Sequence, residues 1–251
     1  MTPYTRTAFA HLLPTLGLLC LASLAHASDL FSKGKPTEMV VGAPLMADTT
    51  AGGYPIYPGT GNWRFFKSAS ETGGARGEAT AVQLGWVAMF EMLEPPYNDF
   101  VAQEITMNLS SGGVNDYWTG KPCSGTHLVV VNKAQRQDDN CLTIDTKLGN
   151  MGSGESTMFV IRSTQSASNG RVLALAFTLP VHLLGLPADA NGNWTPAGVE
   201  SDPAKAAVLN RVTEWAKLLQ DASRRALDFS KPQDAFASVP SYRSLMPSLA
   251  N

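Results

Sequence analysis

Alternation of apolar and polar positions with a period of two dominates the middle of the chain. In Phe100–Ser110, Val101, Gln103, Ile105, Met107 and Leu109 fall on one face and Ala102, Glu104, Thr106 and Asn108 on the other. That is the pattern of a half-buried strand. In Ala79–Leu93, Val82, Leu84, Trp86, Ala88, Phe90 and Met92 alternate, yet the segment is apolar almost throughout and would also suit a buried helix. Gly85 and the aromatic residues favour a strand, which Pro95-Pro96 ends. A further strand is expected at Asn62–Ser68, the aromatic stretch "NWRFFKS".

Two hairpins follow. Thr126–Lys133 and Asn140–Lys147 are β-branched runs joined by "AQRQDD". "STMFVIRSTQ" and "GRVLALAFTLPV" are joined through "SASNG", where Asn169-Gly170 is a favoured turn pair because both tolerate positive φ. The second of these strands continues into Val172–Pro187, the longest apolar stretch after the N-terminal region. Pro180, His182 and Gly185 interrupt it, so it reads as a central strand leading into a covered loop.

The period changes to three and four near the C-terminus. Over Ser201–Phe229, Val208, Val212, Trp215, Leu219 and Ala222 form a stripe widened by Leu209 and Ala216, which predicts a helix with one buried face. Ser201 suits its cap, Asp202 and Pro203 its first turn, and Arg224 and Arg225 its C-terminal dipole. Elsewhere no period holds. Ser28 to about Gly61 is rich in Gly, Pro and Thr, with room only for a short strand at Met39–Val41. Residues 231–251 form a tail with three prolines, able to lie along the body through Phe236 and Tyr242. The expected fold is therefore α+β: a mainly antiparallel sheet of about six strands with one long C-terminal amphipathic helix packed on it.

Composition adds a compartment. Residues 1–27 carry one basic residue, Arg6, then the apolar run Leu12–Ala25 and Ala25-His26-Ala27, which reads as a cleaved signal peptide. A run of about 14 residues containing Pro14 is too short to span a bilayer, which needs about 20, so no transmembrane segment is expected after cleavage. Leu19 before Cys20 argues against lipidation at that cysteine. Removing 27 of 251 residues leaves 224, within the range of one domain, 28–230, followed by the tail. The formal charge of −2 becomes −3 without Arg6 and gives no basic footprint for nucleic acid. The expected location is extracytoplasmic, periplasmic or secreted.

In that compartment the two remaining cysteines, Cys123 and Cys141, are expected to form a structural disulfide. They flank two strands rather than standing two residues apart at a helix start, so redox chemistry does not fit. A simple hairpin would place them at opposite ends, so either the strand bends or Cys123 lies on a loop folded back over the turn. Metal binding is not expected, because only His127 and His182 remain as further soft ligands and neither is at ligand spacing.

The motifs for catalysis are missing. "GSGES" is not a nucleophile elbow, "TGGARG" neither follows a strand nor opens a helix, and "DANGN" lacks the later acid of a calcium loop. Glu91 with Glu94, or Asp138 with Asp139, could pair for glycoside hydrolysis only if the fold set them at a fixed separation. "NLS" at Asn108 and "NWT" at Asn193 match the glycosylation pattern.

One stretch remains as a ligand site: Tyr54, Tyr57, Trp63 and Arg64, whose rings could stack on a glycan or peptide and whose guanidinium could hydrogen-bond it. Against that stands ordinary packing, with Trp63 and Phe65 pointing into the core. The expected function is that of an exported, non-catalytic binding or accessory protein of the cell envelope, needing no cofactor, with a glycan, peptide or protein partner. The alternatives are a carboxylate-based exported hydrolase and an assembly subunit docking through the apolar Val172–Pro187 edge or the C-terminal tail.

Overall fold

The computed structural model describes residues 29–32, 34–46, 48–56, 61–73, 82–95, 99–109, 123–135, 139–150, 155–167, 170–186, 192–227 and 235–247. The expected signal peptide, Tyr57, Asp138, Asn169 and Pro187 lie outside these residues. Two short ladders come first, β1 (Phe31–Ser32) with β2 (Lys35–Pro36), and β3 (Thr50–Ala51) with β4 (Tyr54–Pro55). The main sheet is built from β5 (Arg64–Gly73), β6 (Val82–Met92), β7 (Phe100–Asn108), β8 (Val129–Asn132), β9 (Asn140–Asn150), β10 (Glu155–Ser166) and β11 (Val172–Pro180). Their spatial order is β5-β6-β7-β11-β10-β9-β8, and every neighbouring pair is antiparallel. The α+β fold is thus as expected, with seven strands in place of about six.

The inner face carries the core. Val101, Ile105 and Met107 of β7, Leu173, Leu175, Phe177 and Leu179 of β11, Phe159 and Ile161 of β10, and Leu142 and Ile144 of β9 are all buried. Helix α2 (Pro203–Leu227) packs on β9, β10 and β11 through Val208, Val212, Trp215, Leu219 and Ala222, the stripe that the sequence marks. Over β5–β7 the cover is different: Trp63, and a C-terminal strap whose Phe236, Tyr242, Leu245 and Met246 are buried in the same core. The strap contains a 3-10 turn at Tyr242–Leu245 and no helical period, and its backbone accepts hydrogen bonds from Trp215, Arg211 and Arg225.

Several local expectations need correction. Met39–Val41 forms no strand. Val40 and Val41 are 79% and 61% exposed, while the following residues 42–45 pair with the entry to β5. Ser201 does not cap α2: the Asp202 carboxylate accepts from the Ala204 and Lys205 N–H groups, and Ser201 closes a short preceding helix, α1 (Pro196–Glu200). Five residues are too few to show a period, but the Thr195 hydroxyl accepting from Gly198 N–H and Pro196 in the first turn start α1 by the ordinary rules. The apolar stretch from Val172 is no edge. β11 is the middle strand, and Val181, Leu183 and Leu184 after it are buried in a 3-10 turn.

Cys123 and Cys141 are disulfide-bonded, with their Cα atoms 5.6 Å apart. Asn132, at the end of β8, pairs with Cys141, so Cys123 reaches it from a loop before β8 that folds back over the turn. The strand itself does not bend. Closing a ring of this length stabilises the fold by about 3 kcal/mol on the chain-entropy estimate.

Candidate functional site

Of the expected aromatic site, Trp63 and Arg64 do not share a surface. Trp63 is 1% exposed and makes edge contacts with Phe177 and Tyr242, inside the core. Arg64 points outward, and its guanidinium donates to the Gly42 carbonyl at 2.9 Å. Tyr54 contributes backbone to β4, and Tyr57 is outside the described residues.

A different aromatic surface lies on the outer side of β5–β7, away from α2. Strand β6 is apolar on both faces. Val87 and Met89 point inward with Glu91, so Trp86, Ala88, Phe90 and Met92 point outward, opposite to the core. A bulge in β5 between Phe65 and Lys67 turns Phe66 outward beside them. Phe66 and Phe90 meet edge to face with centroids 6.4 Å apart, and Phe90 and Phe100 do so at 6.3 Å. With Val41, Met92 and Ala102 they line an open basin of about 370 Å³. Phe66 is 53%, Met92 51% and Val41 61% exposed. Large side chains clustered this far out of the core form a contiguous apolar patch, which makes this face the candidate site.

The surface is a groove rather than a single hollow. A second basin of about 330 Å³, lined by Ala69, Ser70, Glu71, Leu84 and Thr106, shares Trp86 with the first. From Leu84 to Met92 the two extend about 26 Å along β6, at about 3.3 Å per residue. One cross-strand row bears charge at its sides: Lys67 of β5, Ala88 of β6 and Glu104 of β7 are in register and share the outer face. Both charged side chains are exposed, and neither makes an ion pair among the described residues.

Behind the groove β6 is fixed by its one inward acid. Glu91 is fully buried and accepts hydrogen bonds from Asn62 N–H (2.9 Å), the Tyr242 hydroxyl (2.5 Å) and the Arg243 guanidinium (2.6 Å). Gly61 is required beside it, since a Cβ there would stand 2.6 Å from the carboxylate and 2.9 Å from Trp63 Nε1. Burial, then the hydrogen bond to Glu91 and its negative charge, push the Tyr242 hydroxyl above the ordinary tyrosine value. An unfolded tyrosine ionises near pH 10, so this stability is complete below about pH 10 and is lost as pH rises past it. Between pH 9 and 11 the wild type should lose about 1.4 kcal/mol more than Tyr242→Phe in urea titrations. Parallel losses in the two proteins would refute the assignment.

The two histidines among the described residues are engaged in local pairings. His127 Nδ1 lies 3.0 Å from both Asp145 oxygens and Nε2 3.0 Å from the Ser124 carbonyl, which secures the disulfide loop on β9. His182 Nε2 is 2.8 Å from Asp99 Oδ2. Neither imidazole is hydrogen-bonded to a serine, threonine or cysteine side chain among the described residues. Glu91 is buried and Glu94 exposed, so these acids do not flank a common cleft. No group of three or more His, Cys, Asp or Glu side chains able to hold a metal occurs among the described residues, and no helix among them is long and apolar enough to cross a membrane. Asn108 of the first glycosylation motif is 4% exposed and donates to the Gly170 carbonyl, whereas Asn193 of the second is exposed.

The groove escaped sequence analysis because no single segment contains it. Its only signal was that both parities of β6 are apolar. No protein-family model, curated protein or solved structure matches the chain.

Proposed function

We propose that this is an exported, non-catalytic binding or accessory protein of the cell envelope, and that it holds an apolar ligand in the outer groove of β5–β7. The observation that carries this reading is the cluster of Phe66, Phe90, Phe100, Met92 and Val41 on the sheet face away from α2, several of them more than half exposed. Full burial of such a side chain is worth about 1.5–3 kcal/mol, and a ligand that covers these half-exposed ones recovers a fraction of that for each. Export is supported by the Leu12–Ala25 leader pattern and by the disulfide.

A neutral apolar dye, N-phenyl-1-naphthylamine, tests the groove directly. The mature oxidised protein should bind it saturably, and Phe90→Ser should weaken binding at least about tenfold, the scale of one buried large side chain. Phe90 is only half-buried, so the variant is expected to keep its thermal transition. Equal dye affinity in a folded Phe90→Ser protein would remove the groove as the site.

A further inference from the structure

We infer that the groove's occupant is a peptide segment in extended conformation, a step that rests on the groove being the ligand site. Three features converge on this chemistry.

The first is shape. Two basins joined at Trp86 and stretched along one strand suit a linear ligand, and about eight extended residues span the same length as Leu84 to Met92. Successive side chains of an extended peptide alternate between the groove and solvent, which lets large residues drop into the basins at intervals.

The second is the charged row. Lys67 and Glu104 stand on either side of Ala88, whose small side chain leaves the row low between them. A hydrocarbon chain laid across this row would strip water from both charges and return nothing, which is costly. A peptide backbone crossing the same row carries a carbonyl that accepts from the ammonium and an N–H that donates to the carboxylate.

The third is the lining of the larger basin. Val41, Phe66, Phe90, Met92, Phe100 and Ala102 bring only carbon and sulfur side-chain atoms to it, and its polar side chains are confined to Trp86, Gln103 and Glu104. Its rings meet edge to face, with interplanar angles of 83° and 72°, so they build walls rather than one flat platform. A sugar ring would find few partners there for its hydroxyls, whereas an apolar amino-acid side chain needs none.

The test is calorimetric titration of the mature oxidised protein with an octapeptide alternating phenylalanine and glutamine, capped at both ends, beside lauric acid and cellohexaose. The octapeptide is expected to bind. Lys67→Met and Glu104→Gln should each weaken it several-fold, and Phe90→Ser at least about tenfold. Both charged residues are exposed, so these variants are expected to fold. If the octapeptide fails to bind while the dye still binds and responds to Phe90→Ser, the peptide inference falls and the groove stands. Loss of dye binding to the wild type as well takes both away. Tighter binding of lauric acid than of peptide, or saturable binding of cellohexaose alone, overturns the inference in favour of that ligand class. Octapeptide affinity untouched by either charge substitution overturns the role of the row.

Discussion

Glu91→Ala is expected to destabilise the protein by about 3–5 kcal/mol, the range for breaking a buried ion pair by removing one partner. The carboxylate has no contact with solvent and joins three separate parts of the chain: the residues before β5, strand β6, and the strap 151 and 152 positions away in sequence. Its removal leaves the buried Tyr242 hydroxyl without an acceptor, and an unmet buried donor costs about 1–3 kcal/mol, whereas the N–H of the exposed Asn62 loses less. Arg243 contributes less to the total, because it is 33% exposed and can turn to water. Arg243→Ala should nevertheless cost about as much, about 3–5 kcal/mol, because it leaves the fully buried Glu91 carboxylate without its counter-charge. Glu91→Gln keeps the volume and an acceptor, leaves only the partly exposed Arg243 charge unpaired, and should cost less than either alanine variant. Urea midpoints decide the matter, and proteolysis reports the strap: cleavage within 235–247 should accelerate in Glu91→Ala before the sheet unfolds. A loss below about 1 kcal/mol would show that the acid is not what holds the strap. Because Phe90 and Met92 flank Glu91 and point the other way, the same contact fixes the outward side chains of β6 that line the groove.

How much of this was legible in the sequence depends on the range over which each feature is encoded. The α2 stripe was readable because Val208, Val212, Trp215, Leu219 and Ala222 need only the helical period to fall on one face, and all five are buried. β7 was readable for the same reason, its buried residues following one parity from Val101 to Met107. Strand β6 defeated that logic. A period of two identifies a strand, but when both parities are apolar it does not say which face is covered. Val87 and Met89 won the core because Glu91, on their side, meets Tyr242 and Arg243 across the fold. Trp86 and Phe90, the more conspicuous residues, were left outside. The strap showed no period because it is held by individual side chains and by hydrogen bonds to its carbonyls. The groove needed the β5 bulge and the alignment of three strands, and neither is a local property.

Trp63→Ala is expected to cost a further about 3–5 kcal/mol, as for an aromatic residue deleted from a packed core, and to lower the melting temperature by roughly 10 °C for a chain of this size. The indole touches Phe177 on β11 and Tyr242 on the strap, so it fills the junction between sheet and strap rather than offering a face to a ligand. Trp63→Phe separates packing from recognition. It keeps an aromatic ring against both neighbours and removes an indole N–H that has no hydrogen-bond partner among the described residues. The expected cost is therefore about 1 kcal/mol, since an unmet buried donor contributes nothing that its loss would forfeit. Dye affinity in Trp63→Phe should match the wild type, because Trp63 belongs to the inner core and does not line the groove. A folded Trp63→Phe protein that lost dye as Phe90→Ser does would instead place recognition at the aromatic stretch before β5. The open surface of β5–β7 would then need a different occupant.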